Sequence, residues 1–203
     1  MKVLVACEFS GIVREAFKAR GHDAWSCDLL PTEIPGQHYR EDIFNVLFSE
    51  DDKYPPIESW DLMIAHPPCT RLANSGVRWL RERNLWEEME KAAYLFRYLW
   101  DARYQIKRVC IENPIPHKYA VEIIGRKYDQ IIQPWQFGHG ETKATCLWLR
   151  GLPVLKPTNI VNKREQRIHK LSALCGPDSS KTRQQDRSRT YPGIAAAMAE
   201  QWG

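Results

Sequence analysis

Short apolar runs alternate along the chain with stretches whose apolar residues recur every three to four positions. That alternation predicts strands and helices laid down in turn, the pattern of an α/β fold with a mostly parallel sheet. Val3–Cys7 reads as a buried strand. Gly11 to Arg20 reads as a helix with Ile12, Ala16 and Phe17 on one face and Gly21 as its stop. Asp23–Asp28 is a second strand, and Asp61–Ala65 a third, ended by Pro67-Pro68. A long helix is expected from Leu85 to Arg103, with Met89, Ala92, Ala93, Phe96, Leu99 and Trp100 at helical spacing. Its aromatic set, Tyr94, Phe96, Tyr98 and Trp100, is read as core packing. Arg108–Glu112 is a further strand, ended by Pro114. Ile131–Phe137 and Thr145–Leu149 form a closing hairpin around Gly138 and Gly140. Residues 151–189 look irregular, and Tyr191 to Trp202 reads as a terminal helix with Pro192 in its first turn. No internal repeat interrupts this order.

Composition narrows the class. The 203 residues are 43% hydrophobic and 27% charged, which excludes collagen-like, mucin-like and fully disordered chains and suits one domain. No apolar run approaches the roughly 20 residues of a membrane span. Met1 to Cys7 runs into Glu8 without a basic leader or cleavage site, so no signal peptide is read there. The six cysteines include no CxxC pair, and Cys7, Cys110 and Cys146 lie inside apolar runs. The expectation is a reduced, cytoplasmic protein without metal. Net charge is +4, but nine lysines and arginines stand against three acids between 151 and 190. A basic segment on a near-neutral body fits a polyanion such as nucleic acid, or a solvated loop without a partner.

In open α/β sheets ligands bind beyond the carboxyl ends of the strands. Glu8-Phe9-Ser10-Gly11 follows the first strand and enters a helix. It fits a turn that a cofactor approaches closely, or an ordinary tight turn. Asp28 closes the second strand about 20 residues later, where a ribose-binding acid is expected; a helix or turn cap is the alternative. Asp42, before Ile43, fits an adenine contact or a cap of the following turn. Pro67-Pro68-Cys69-Thr70 stiffens the backbone after a strand and aims one thiol, either as a nucleophile or as an inert buried cysteine. His66, just before it, is read as capping the strand end, with a substrate contact as the alternative. Glu112-Asn113-Pro114 follows the next strand and places an acid where it can serve such a nucleophile, or leaves a charge in water. Together, after successive strands, the two motifs are more specific than either alone.

These residues, in this order, resemble the DNA (cytosine-5) methyltransferase family, and most of all its small phage and prophage members. Phe9-Ser10-Gly11 is similar to the family's first cofactor motif. Asp28 matches the ribose acid and Asp42-Ile43 the adenine motif. Pro68-Cys69 matches the Pro-Cys nucleophile motif, Glu112-Asn113 the Glu-Asn motif, and Thr190-Tyr191-Pro192-Gly193-Ile194-Ala195 the last motif. The match runs from residue 9 to about 199. It departs from the family near Val13, where a second glycine is missing, at Thr70 and at Pro114. The Gln-x-Arg-x-Arg segment is also absent, with Gln136-Phe137-Gly138 through Lys143 in its place.

The resemblance implies a Rossmann-like S-adenosylmethionine-dependent methyltransferase fold. Residues 1–150 would form the catalytic core, 151–189 a reduced, basic target-recognition insert, and 190–203 a helix returning to the core. It implies S-adenosyl-L-methionine as cofactor, held by Phe9, Ser10, Gly11, Asp28, Asp42, Ile43, Pro67 and Pro68. DNA would be the partner, with a flipped cytosine attacked by Cys69, assisted by Glu112 and Asn113, in a bacterial host cytoplasm if the chain is phage-encoded. Arg71, Lys143, Lys163, Arg164 and Arg167 would contact the DNA. The small recognition region keeps two other readings open: the same Cys/Glu chemistry on a pyrimidine nucleotide or another polymer, and a non-catalytic nucleic-acid-binding protein on this fold.

Overall fold

The structure is a computed structural model and describes residues 1–49, 51–165 and 188–203. Seven strands form one sheet in the order β3-β2-β1-β4-β5-β7-β6. They are β1 (Lys2–Ala6), β2 (Asp23–Asp28), β3 (His38–Arg40), β4 (Leu62–Ala65), β5 (Arg108–Pro114), β6 (Gln130–Ile132) and β7 (Thr145–Arg150). The first five strands are parallel. β7 runs antiparallel to both β5 and β6. The chain is therefore a doubly wound α/β protein, as its periodicity predicts. The hairpin is shorter than expected. Pro134 cannot donate to a ladder, so β6 ends at Ile132 and Pro134–Gln136 turns as a 3₁₀ helix.

Alternate strand residues go to opposite faces and build two cores. Val3 and Val5 pack with Val13 and Phe17 of α1 (Ile12–Lys18) and with Ile194, Ala195 and Met198 of the C-terminal helix. Leu4 and Ala6 pack on the other side, against α2 (Ile43–Phe48) and α4 (Trp86–Asp101). Two further short helices, α3 (Val77–Glu82) and α5 (Lys118–Ile124), flank α4 on that side. Within α4, Met89, Ala93, Phe96, Leu99 and Trp100 are buried, while Tyr94 and Tyr98 are about half exposed, at 49% and 55%. The aromatic set is thus core on one face and surface on the other, a partial correction that follows from the width of a helix stripe.

The C-terminal helix, α6 (Pro192–Trp202), starts with Pro192 in its first turn. Gly193 lets it dock. A Cβ there would lie 1.8 Å from the Phe137 carbonyl oxygen, far inside contact distance, so only glycine permits this approach. After β7 the chain returns past the β6 edge at Leu155 and then along residues 135–140. Gln130 Nε2 donates to the Leu155 carbonyl at 2.7 Å, and Leu155 N–H donates back to Gln130 Oε1 at 2.8 Å. Among the described residues, no helix is long and apolar enough to cross a membrane.

Candidate active site

Strand order reverses between β1 and β4, and in doubly wound sheets that switch point opens a crevice beyond the carboxyl ends. The sequence places its chemistry there. A small cavity is lined by Cys7, Glu8, Phe9 and Ser10 from the end of β1, His66 from the end of β4, and Ser188 and Thr190 from the segment before α6. The returning tail thus reaches the first turn, where the Thr190-Tyr191-Pro192 motif was expected.

The first turn is built around a buried acid. Glu8 is 4% exposed. Its Oε1 accepts the Val13 N–H at 2.7 Å and the Ser10 hydroxyl at 3.1 Å, and its Oε2 accepts the Arg14 N–H at 3.3 Å. The carboxylate thereby satisfies the orphan donors of α1 from within the chain. Two backbone positions bend the turn: Cys7 at φ 57° and Gly11 at φ 76°. A Cβ on Gly11 would also meet the Arg14 guanidinium at 2.7 Å. Burial pushes the Cys7 thiol far up, so it stays protonated.

Asp28 and Asp42 both cap. Asp28 Oδ1 accepts the Leu30 N–H at 2.9 Å, and Asp42 Oδ1 accepts the Phe44 N–H at 2.9 Å. Burial raises the Asp28 pKa, and its hydrogen bond from Leu30 partly offsets this. Beside Asp28, Leu29 and Leu30 are exposed at 68% and 41%, an apolar surface next to the acid. Ile43 is buried in the core under α2.

The two chemical motifs are zipped together by strand register. β4 and β5 pair in parallel with Ala65 opposite Ile111, so the next residues, His66 and Glu112, emerge side by side. His66 Nδ1 lies 2.7 Å from Glu112 Oε2, with side chains 9% and 14% exposed. One residue further, Asn113 Nδ2 donates to the Pro67 carbonyl at 2.9 Å. Asn113 thus holds the Pro-Pro-Cys loop in place. Pro67 is buried and Pro68 exposed. Beyond them the Cys69 carbonyl accepts the Leu72 and Ala73 N–H groups at 3.0 and 2.9 Å. That turn is tied to the segment after β5: Asn74 N–H donates to the Ile115 carbonyl at 2.8 Å, and His117 N–H to the Leu72 carbonyl at 3.0 Å. Cys69 is half-buried on this double loop.

The cations expected to face substrate divide. Lys143 lies close enough to the His66–Glu112 pair for its charge to act on both, and its ammonium sits 5.7 Å from the Tyr191 ring centre. Arg71 turns away: its Nε donates to Glu88 of α4 at 2.8 Å. Lys163 pairs with Glu165 at 3.3 Å on the surface, and Arg164 stacks 3.8 Å from the centre of the Trp135 ring. Arg167 lies outside the described residues.

Charge within the pair follows from its surroundings. Burial acts to lower the His66 pKa, but the hydrogen bond and charge of Glu112 outweigh it, and the net shift is upward. Burial acts to raise Glu112, but the hydrogen bond and charge of His66, with Lys143 behind them, bring it below its ordinary value. The raised histidine stabilises the fold below 6.5, its ordinary value, and loses that contribution as pH climbs through its folded value. The lowered carboxyl stabilises the fold above 4.5 and loses that contribution as pH falls through its folded value. Both contributions are complete between about pH 4.5 and 6.5. The urea midpoint is therefore expected to fall on going from about pH 6 to about pH 9, and to fall less in Glu112→Gln. An equal fall in both proteins would show that the pair does not contribute.

Two residues at the strand ends, Glu8 and His66, take hydrogen-bonding roles that the sequence reading did not assign to them. Glu8 had a local signal, an acid beside a turn that enters a helix. The pairing of His66 with Glu112 had no signal, because the two are 46 residues apart and only the β4–β5 register brings them together. Among the described residues no cluster of three or more His, Cys, Asp or Glu side chains is arranged to hold a metal.

No protein-family model matches the chain, and no curated protein matches it. Solved structures do. A protein assigned as a DNA modification methyltransferase encoded within an E. coli prophage is 14% identical with a TM-score of 0.48, over 79% of this chain and 52% of that one. An Entamoeba histolytica methyltransferase is 16% identical with a TM-score of 0.39, over 82% of this chain and 57% of that one. The chain spans little more than half the length of these two structures.

Proposed function

We propose that the protein is an S-adenosylmethionine-dependent methyltransferase that acts on carbon 5 of cytosine in DNA, with Cys69 as nucleophile and Glu112 as the acid at N3. The observation that carries this reading is the pairing of the two motifs. A rigid Pro-Pro-Cys loop and a buried carboxyl project from adjacent parallel strands, held by the His66–Glu112 and Asn113–Pro67 hydrogen bonds. Carbon 5 of cytosine is a weak nucleophile. Bonding of a thiolate to carbon 6 turns the ring into an enamine, and a proton at N3 stabilises the charge that moves there. That chemistry needs one thiol and one carboxyl aimed at the same ring, the residue types present here.

The residues fit the cofactor. S-adenosylmethionine supplies an electrophilic methyl group on a positively charged sulfur. The Glu8 carboxylate fills the N-terminus of α1, the place where a dinucleotide would set its pyrophosphate. That position therefore repels a phosphate-bearing cofactor and tolerates a cation. Asp28, with Leu29 and Leu30 exposed beside it, offers an acid and an apolar surface for a nucleoside. Phe9 and Ser10 border the same crevice.

DNA as substrate is supported by the basic 151–190 segment, part of which, Lys163 and Arg164, lies exposed beside Trp135. Flipping a base from a duplex costs a few kcal/mol, and phosphate contacts offset it. Replacing both Lys163 and Arg164 by alanine is expected to weaken DNA binding about equally across sequences and to reduce the salt slope by about 1 to 2. An unchanged slope would remove these two residues from the interface.

The direct test incubates the protein with methyl-labelled S-adenosylmethionine and, separately, duplex DNA, single-stranded DNA, RNA and dCMP. Label at carbon 5 of cytosine in DNA supports the proposal. Label in dCMP alone would overturn the polymer substrate, and cofactor binding with no transfer to any of them would overturn the activity.

A further inference from the structure

We propose that His66 is the positioning residue for Glu112: its Nδ1 nitrogen holds the carboxyl in place and stores the proton that Glu112 passes to the substrate ring. This rests on the Cys69–Glu112 reading above and adds a residue that the Pro-Cys and Glu-Asn motifs do not contain.

Geometry makes the case. The Nδ1–Oε2 contact is 2.7 Å, and both side chains are largely buried. Among the described residues, the buried His66 Nε2 makes no hydrogen bond, so the bond to Glu112 is the polar contact that orients the ring there. The titratable and charged groups facing His66 are Glu112 on β5, Glu8 and Cys7 at the end of β1, and Lys143 before β7. The two carboxylates favour an imidazolium, and burial and Lys143 oppose it. The balance lies above the ordinary histidine value while Glu112 lies below its own. The 2.7 Å pair therefore favours an imidazolium against a carboxylate and holds one transferable proton.

The step balances. The Cys69 thiolate forms the sulfur–carbon 6 bond, and the displaced π electrons move through the ring to N3. N3 takes a proton from the Glu112 carboxyl, and that carboxyl is supplied from His66 Nδ1. Glu112 ends as a carboxylate and His66 as a neutral imidazole. Once carbon 5 has taken the methyl group, it gives up its own proton to water, the electrons of that bond form the 5,6 double bond and expel the sulfur as thiolate, and N3 returns its proton through Glu112 so that the imidazolium is restored. A neutral amide at position 66 could keep the hydrogen bond but could not store the proton.

The test uses the full chain and two readouts. The first is an NMR titration of the imidazole without any ligand, with the signal assigned by its absence in His66→Asn. His66 is expected to titrate above 6.5, its ordinary value, and to fall in Glu112→Gln, where only the Glu8 charge still opposes burial. The second is the pH profile of methyl transfer. In His66→Asn the alkaline limb is expected to move at least about one unit toward acid. Its kcat near pH 7 is expected to drop about 100-fold with little change in KM. Near-ultraviolet circular dichroism checks that the variant is folded. A His66 titration indifferent to Glu112→Gln, or a folded His66→Asn with the wild-type pH profile, overturns the role of His66. A coupled titration with no methyl transfer by the wild-type protein overturns the underlying reading instead, and the proton-storage role with it.

Discussion

Replacing Cys69 by alanine is expected to lower methyl transfer at least about 10⁴-fold, or about 5 kcal/mol of barrier, while cofactor binding stays close to wild type. The size follows from chemistry rather than packing. In the proposed mechanism, without the sulfur there is no addition to carbon 6, so carbon 5 never becomes nucleophilic. Cys7, Cys27 and Cys146, also at this end of the sheet, are held protonated by burial. Cys69→Ser tests the same point with a hydroxyl, a far weaker nucleophile at neutral pH. A second readout is independent of turnover. DNA carrying 5-fluorocytosine should give a covalent adduct with the wild-type protein plus cofactor, because fluorine blocks the loss of a proton from carbon 5. Cys69→Ala should give no adduct. Cys69 is half-buried on a surface loop, so the variant should unfold within about 1 kcal/mol of wild type. Activity retained in Cys69→Ala would show that the thiol is not the nucleophile.

Arg14→Met is expected to cost about 3–5 kcal/mol of stability. For a chain of this length that corresponds to a melting temperature lower by roughly 6–20 °C. Arg14 is 0% exposed, although a lone charge so placed is ordinarily prohibitive. It is tolerated because its donors are spent. Nη1 donates to Ser26 Oγ at 2.9 Å and Thr32 Oγ1 at 3.2 Å, Nη2 to the Ile34 carbonyl at 2.5 Å, and Nε to Glu15 at 2.8 Å. The guanidinium thus joins α1 to β2 and to the loop after Asp28. Methionine fills the volume but leaves Ser26 and the Ile34 carbonyl short of a donor. The loop should loosen as well, with faster hydrogen exchange at 29–37. Arg14→Lys should recover only part of the loss, because an ammonium cannot reproduce the planar fork. A loss below about 1 kcal/mol in Arg14→Met would show that these hydrogen bonds do not hold the loop.

Legibility tracked how local each feature is. Asp23–Asp28 is a strand with the boundaries that its pattern predicts, because an apolar run between polar ends needs no partner to be recognised. The long helix read from Leu85 to Arg103 forms as Trp86–Asp101, since 16 residues show their period clearly. β3, α2, α3 and α5 went unread. Each spans between three and seven residues, less than two helical turns or four strand positions, and such pieces exist because the sheet and cores on either side hold them. The predicted hairpin extended too far because the apolar pattern continues through Trp135 and Phe137, while the missing N–H of Pro134 had already ended the ladder.

By itself the sequence determined the alternation of elements, the mostly parallel sheet, and the segments that stand at strand ends, because burial and backbone chemistry act over a few residues. It also carried the residue types of the proposed chemistry, Cys69 and Glu112. Only the tertiary structure decided how those residues meet. The β4–β5 register set Glu112 against His66 and Asn113 against Pro67. The turn at Cys7 and Gly11 folded Glu8 back onto α1. Arg71, close in sequence to the thiol, was drawn off to Glu88, while Lys143, distant in sequence, came beside the buried pair. The reason is physical. Composition and period act through neighbours along the chain, whereas protonation and hydrogen bonding in a site act over a few ångströms between residues that only the folded sheet brings together.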